Sequence, residues 1–285
     1  MLKPRMLAGF FLFFTVVAAS AQPMNRKIAD DVISSLAKIN TLKYRMIKKE
    51  RIKGVMKTGE IQAKYQKSPF NIYIYVYSPK PGVEVLYVTG ENGGKAYVNP
   101  NSFFLNVLDP DLDPKGKTLR KDEHHSVFES GFEFTRNLLI AMRKRADSEG
   151  RFDEYCQYAG DIKWDGRDCY KMILQYPDYK WESYTVKAGE DIDDIAESRN
   201  LYGYTILEKN KLSWFTSVKA GQVIQIPNIY AKKVVLYIDK LHKVPIYQEV
   251  HDDIGLLSIY EYHSLLINPV IPKEEFTKGY KDYNF

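Results

Sequence analysis

Few side chains in this 285-residue chain combine the type and the spacing that chemistry requires. His124 and His125 are adjacent and could offer imidazole nitrogens to a metal, but a metal site needs further ligands at defined spacing. His242, His251 and His263 follow far away on separate segments. A solvated histidine pair at a helix start is the expectation. Asp109, Asp111 and Asp113 alternate as carboxylates do in a calcium loop, yet Pro114 stands where the loop requires glycine and Arg120 where it requires the closing glutamate. Asp252-Asp253 runs into Gly255 and reads as a turn between strands, which gives a glycosidase-type carboxylate pair no support. Gly-x-Ser-x-Gly, His-Glu-x-x-His and phosphate-loop patterns are absent. Cys156 and Cys169 remain, an even count flanking a hairpin-like stretch, and are expected to form a disulfide if the chain folds in an oxidising compartment; two buried thiols are the alternative. No catalytic residue, metal or cofactor emerges, so the chemistry to expect is binding.

The elements that would position a binding surface are mostly extended. Ahead of them, Met1 to Arg5 is basic, Met6 to Ala19 is apolar, and Ala19-Ser20-Ala21 precedes Gln22. This is the three-part pattern of a signal peptide spanning residues 1–21. The protein is therefore expected in the periplasm, or secreted, with no transmembrane segment in the mature chain. Losing Lys3 and Arg5 lowers the formal charge from +5 to +3, and the remaining Lys and Arg are scattered among acids rather than gathered on one face, which argues against nucleic acid.

In the mature chain, Ile28, Val32, Ile33, Leu36 and Ile39 recur at helical spacing over Asn25 to Ile39. Extended segments then run from Leu42 to Lys53, Thr58 to Gln66, Phe70 to Ser78, Glu84 to Thr89 and Gly94 to Val98, with Pro and Gly at their ends. A second helix is predicted over Ser126 to Ala146. Strands resume over Asp153 to Ala159, Ile162 to Trp164 and Cys169 to Tyr176, with Asp165-Gly166 as a hairpin turn. Lys233 to Asp239, Val244 to Val250 and Leu256 to Leu266 complete the set before an irregular tail. Meandering antiparallel strands with packed helices make this an α+β chain.

Between these strands lies a stretch of different character. It opens Tyr184-Thr-Val-Lys-Ala-Gly-Glu-Asp-Ile and closes Val218-Lys-Ala-Gly-Gln-Val-Ile-Gln-Ile-Pro227. A short strand, a Gly189 turn, a helix with acids in its first turn, a second helix over Thr205 to Asn210 and a closing strand give a βααβ unit. The segment from 182 to 229 resembles the LysM family. The resemblance implies binding of N-acetylglucosamine glycans such as peptidoglycan, in a groove between Gly189, Glu190, Asp191 and Ile192 on one side and Leu212, Trp214 and Phe215 on the other. Asp191 replaces the hydroxyl usual in that family's turn.

The remainder, residues 22–181 and 230–285, carries Gly59-Glu-Ile-Gln-Ala-Lys-Tyr65, Ser78-Pro-Lys-Pro-Gly82, Trp164-Asp-Gly-Arg-Asp-Cys-Tyr170 and Tyr237-Ile-Asp239. It resembles the LolA-like superfamily of periplasmic lipoprotein carriers, and within it an uncharacterised bacterial family. The resemblance implies a curved antiparallel half-barrel with helices against it and a lipidic or protein ligand in its concavity. Phe128, Phe132 and Leu139 are the side chains that could instead fill that space as core. The expectation is a non-catalytic envelope protein that binds glycan through the inserted unit and a lipid or lipoprotein through the half-barrel. The alternatives are a LysM-targeted cell-wall hydrolase and a structural envelope protein whose LysM does not bind.

Overall fold

Alternation of apolar and polar residues along ten strands builds one open antiparallel sheet. A computed structural model describes residues 23–101 and 111–285; the signal segment and Asp109 lie outside the described residues. Strand β1 (Thr41–Ile52) returns through Lys53-Gly54, both at positive φ (51° and 80°), into β2 (Val55–Gln66). This is the two-residue turn whose twist matches that of the strands it joins. Strands β3 (Asn71–Ser78), β4 (Glu84–Val88) and β5 (Tyr97–Asn99) continue the meander to one edge. The other half holds β6 (Cys156–Trp164), β7 (Arg167–Gln175), β10 (Lys233–Asp239), β11 (Pro245–His251) and β12 (Leu256–Ile267). The order across the sheet is β5-β4-β3-β2-β1-β12-β11-β10-β7-β6. Its central seam pairs Leu42 with Ile267 and Glu50 with Ser258.

A separate two-stranded sheet joins β8 (Trp181–Thr185) to β9 (Val223–Pro227), and α5 (Ile192–Arg199) and α6 (Gly203–Asn210) lie between them in sequence. The βααβ order read from the sequence is thus present between β7 and β10.

Four further helices accompany the large sheet: α1 (Met24–Ala37), α2 (Lys117–Arg120), α3 (Glu133–Ser148) and α4 (Phe152–Tyr155). Ile28, Ala29, Val32 and Leu36 form the buried stripe of α1, as its periodicity predicts, and α1 packs on α3 and β6. The predicted helix over Ser126 to Ala146 is divided. Val127–Glu129 is a single 3-10 turn closed by a Ser126/Glu129 capping box, and α3 starts only after Gly131. Gly131 has φ 80°, and a Cβ there would lie 2.7 Å from the Tyr65 ring, so the helix cannot run through it. The two strands expected over Asp153 to Ala159 and Ile162 to Trp164 are one, β6, entered from the turn of α4. Asp165-Gly166 makes the hairpin turn as expected, at φ 48° and 73°.

The cysteine pairing expected from the sequence is corrected. Both thiols are free and buried. Cys156 faces Leu174 across the ladder while Cys169 faces Ile162. Five residues along β7 separate Leu174 from Cys169, an odd number that puts the thiols on opposite faces and roughly 16 Å apart, beyond the reach of a disulfide. Burial raises the two thiols to about 12 and about 11, which keeps them protonated and inert.

The tail read as irregular packs on the convex face of β2 to β4. Tyr283 stacks on Tyr73 at 3.7 Å, and the buried Glu84 accepts hydrogen bonds from Tyr73 (2.7 Å), Asn99 (3.0 Å) and the Asn284 backbone N–H (2.9 Å). Among the described residues no helix is long and apolar enough to cross a membrane.

Candidate ligand-binding cavity

Side chains alternate across each strand, so every second residue of the sheet points to its concave face. Tyr44 and Met46 of β1, Ile61 of β2, Ile74 of β3, Leu236 of β10 and Tyr262 of β12 meet there. Helix α3 crosses over them, turning Leu138, Leu139 and Met142 inward. Sheet and helix do not close on each other. Between them lies a cavity of about 1080 Å³, just above the size usual for ligand pockets, roughly 300–1,000 Å³. Neither phenylalanine flanking the break at Gly131 fills it. Phe132 is directed against Tyr262 (ring centroids 4.9 Å apart), and Phe128 is drawn outward onto Phe70 and Tyr87 (5.6 and 5.0 Å). Of the three residues expected as possible filling, Leu139 alone lines the space.

One stretch of the wall is polar. Glu50 is 4% exposed, accepts a hydrogen bond from Tyr260 (2.7 Å) and has the Lys48 ammonium 3.7 Å away. Burial opposes its charge, but Lys48, the histidines and the Tyr260 hydroxyl outweigh that and hold the carboxyl down at about 2. His125 pairs with Glu129 beside it, and burial of Glu129 is likewise outweighed, chiefly by His125, leaving that carboxyl at about 2.

His124 is no solvated residue. It is 1% exposed, and burial pushes its imidazole down to about 4, so at neutral pH it is uncharged. Its Nε2 faces the Arg51 carbonyl at 2.9 Å and must carry the proton; Nδ1 therefore accepts from the Tyr202 hydroxyl at 2.8 Å. Ser258 Oγ and Tyr260 Oη stand 3.1 and 3.0 Å from that same hydroxyl. Tyr202 begins the loop into α6, so this buried chain ties the βααβ unit to β1 and β12.

Two arginines tighten the same junction. Arg51 binds Glu208 of α6 (2.9 Å) and Asp252 of the β11–β12 turn. Arg120, at the end of α2, binds Asp193 of α5 and lies 3.5 Å over the Trp214 ring, while Trp214 Nε1 donates to the Glu123 carbonyl (3.0 Å). The unit is thereby a wall of the cavity, to which it contributes Arg199 and Asn200.

Against this, the predicted glycan residues divide. Glu190 accepts from the Tyr184 hydroxyl (2.8 Å) and the Lys187 N–H (2.9 Å), and Asp191 caps α5 in a reciprocal box with Asp194 (2.9 and 3.0 Å). Gly189 supplies the positive φ of the turn (84°). Ile192 is buried, Leu212 is packed against the core and Trp214 faces the host domain rather than a sugar. Phe215 alone of these side chains offers an exposed apolar face, at 38%. Sequence reading missed Arg51, Arg120, Tyr202 and the role of His124. Arg51 stands in the charged run Lys48-Lys49-Glu50-Arg51, so no local pattern set it apart from solvated neighbours.

Residues 39–198 match the family described as "Protein of unknown function (DUF1571)". No curated protein matches the chain. Similar solved structures include a DUF1329 family protein from Desulfovibrio piger (10% identity, 89% of this chain and 97% of that one, TM-score 0.33). A LolA superfamily protein from Nitrosomonas europaea aligns at 11% identity over 90% of this chain and 98% of its own, with TM-score 0.35. The lipoprotein LppX of Mycobacterium tuberculosis aligns at 10% identity over 88% and 99%, with TM-score 0.38.

Proposed function

The chain belongs to the DUF1571 family, a family of unknown function, and from that premise we propose that it is a non-catalytic binding protein of the cell envelope that holds an apolar, acyl-type ligand beneath its sheet. The observation that carries this reading is the cavity itself. A space of about 1080 Å³ lined largely by aliphatic and aromatic side chains is costly to leave filled with water, and an apolar guest gains roughly 25 cal/mol per Å² of surface it removes from water. The export-type sequence of residues 1–21 supports the reading, since in the cell envelope lipidic ligands must cross water.

The test is a titration with the uncharged fluorophore N-phenylnaphthylamine. Wild-type protein is expected to raise its emission saturably, and Leu139→Trp, which narrows the cavity from α3, to weaken binding with secondary structure unchanged. No saturable rise with the wild-type protein would sink the reading.

A second reading concerns the βααβ unit as a glycan-binding LysM module. The exposed Phe215 supports it, with contact confined to that side chain's surface because Trp214 is committed to the Glu123 carbonyl and Arg120. Sedimentation with insoluble peptidoglycan, lost in Phe215→Ala, tests it; no sedimentation at any salt would exclude it.

A further inference from the structure

Resting on the cavity reading above, we propose that the mouth of the cavity selects amphiphiles with an anionic head. The rim where β2, the β3–β4 turn and α2 meet is lined by Lys57, Lys80, Lys117 and Lys121. Lys57 is partnered by Asp122 (3.5 Å). Lys80, Lys117 and Lys121 are exposed and, among the described residues, have no carboxylate partner.

Two features make this more than a solvated surface. Lys117 and Lys121 are four residues apart across the turn of α2, the spacing at which like charges face each other and repel, and Arg120 between them is taken up by Asp193. A rim arranged against its own electrostatics is relieved by an anion. The cavity behind it is mostly apolar, and its polar stretch holds the carboxylates Glu50 and Glu129, so a guest's chain gains by entering while an anionic head would lose by doing so. The head must stop at the rim, within reach of these three ammonium groups. Phosphate and carboxylate heads share this chemistry; a quaternary ammonium head is disfavoured by it.

The experiment displaces N-phenylnaphthylamine from the full chain with four amphiphiles of one chain length, each below its micellar concentration: dodecyl phosphate, dodecanoate, dodecyl maltoside and dodecyltrimethylammonium. Both anions are expected to bind about tenfold more tightly than the maltoside, and the cation more weakly, with an advantage that shrinks as salt is raised. The triple variant Lys80→Gln, Lys117→Gln, Lys121→Gln is expected to erase the advantage and leave maltoside affinity unchanged. A lead of phosphate over carboxylate would assign the head to phosphate esters, and the reverse to fatty acids. Equal affinity for all four heads, or an advantage that survives in the triple variant, would overturn the proposal while leaving the cavity intact. If the neutral fluorophore itself does not bind, the cavity reading fails instead.

Discussion

The space under α3 and the joint between the large sheet and the βααβ unit lie side by side, yet they are built oppositely. The first is mostly apolar and left unfilled, its aliphatic and aromatic wall, with one polar stretch, facing about 1080 Å³ of cavity. The second is polar and closed, with Arg51, Arg120, His124 and Tyr202 each bound to two or more partners. Looseness is tolerable in the first because its neighbours are held by the second. A sheet open at one end needs a rigid stop there, and charged networks are specific in position where apolar contacts slide. The inserted unit therefore behaves as masonry, whatever else it binds.

The largest expected effect breaks the joint. Arg51→Ala strands Asp252, 4% exposed, and Glu208 without their cation, and should cost about 3–5 kcal/mol in denaturant unfolding. A loss under about 1 kcal/mol would mean that the joint does not anchor the unit. Next comes its pH dependence. His124 is held near 4 in the folded protein against an ordinary 6.5, so the unfolded chain takes up the proton first. Stability should be complete above about 6.5 and fall by about 3 kcal/mol as pH drops to about 4. Glu50, held at about 2 against 4.5, extends the loss below that window. His124→Gln should flatten the upper part of the curve. The smallest effect lies in the cavity: Leu139→Trp extends into existing space and should change stability by about 1 kcal/mol or less while weakening ligand binding. A large destabilisation there would show the space to be packed after all.

Much of this was legible. Period-two alternation placed the strands, the helical stripe of Ile28, Val32 and Leu36 placed α1, and Asp165-Gly166 placed a turn. The apolar face of α3 was legible too. What failed were judgements that depend on residues distant in sequence. Gly131 breaks a helix because the Tyr65 ring stands against it, which no local pattern reveals. Cys156 and Cys169 looked bridgeable until ladder register put them on opposite faces. His124 looked solvated because its ring partners come from residues 51 and 202, far from it in sequence. Trp214 could face a sugar or pack within its unit as far as the sequence shows, since nothing local reveals that Arg120 lies over its ring.

The seam between β1 and β12 has a consequence for how the chain reaches this state. Leu42 and Ile267 are neighbours at the middle of the sheet, so neither half has its full set of strand partners until almost the whole chain is present. Contacts of such sequence separation form late and slow folding. A ribosome-bound or partly exported chain would expose β1 as an unpaired edge flanked by the apolar face of β2, the kind of edge that invites association with other chains. Holdase chaperones should accordingly engage segments before residue 256 more strongly than the finished protein.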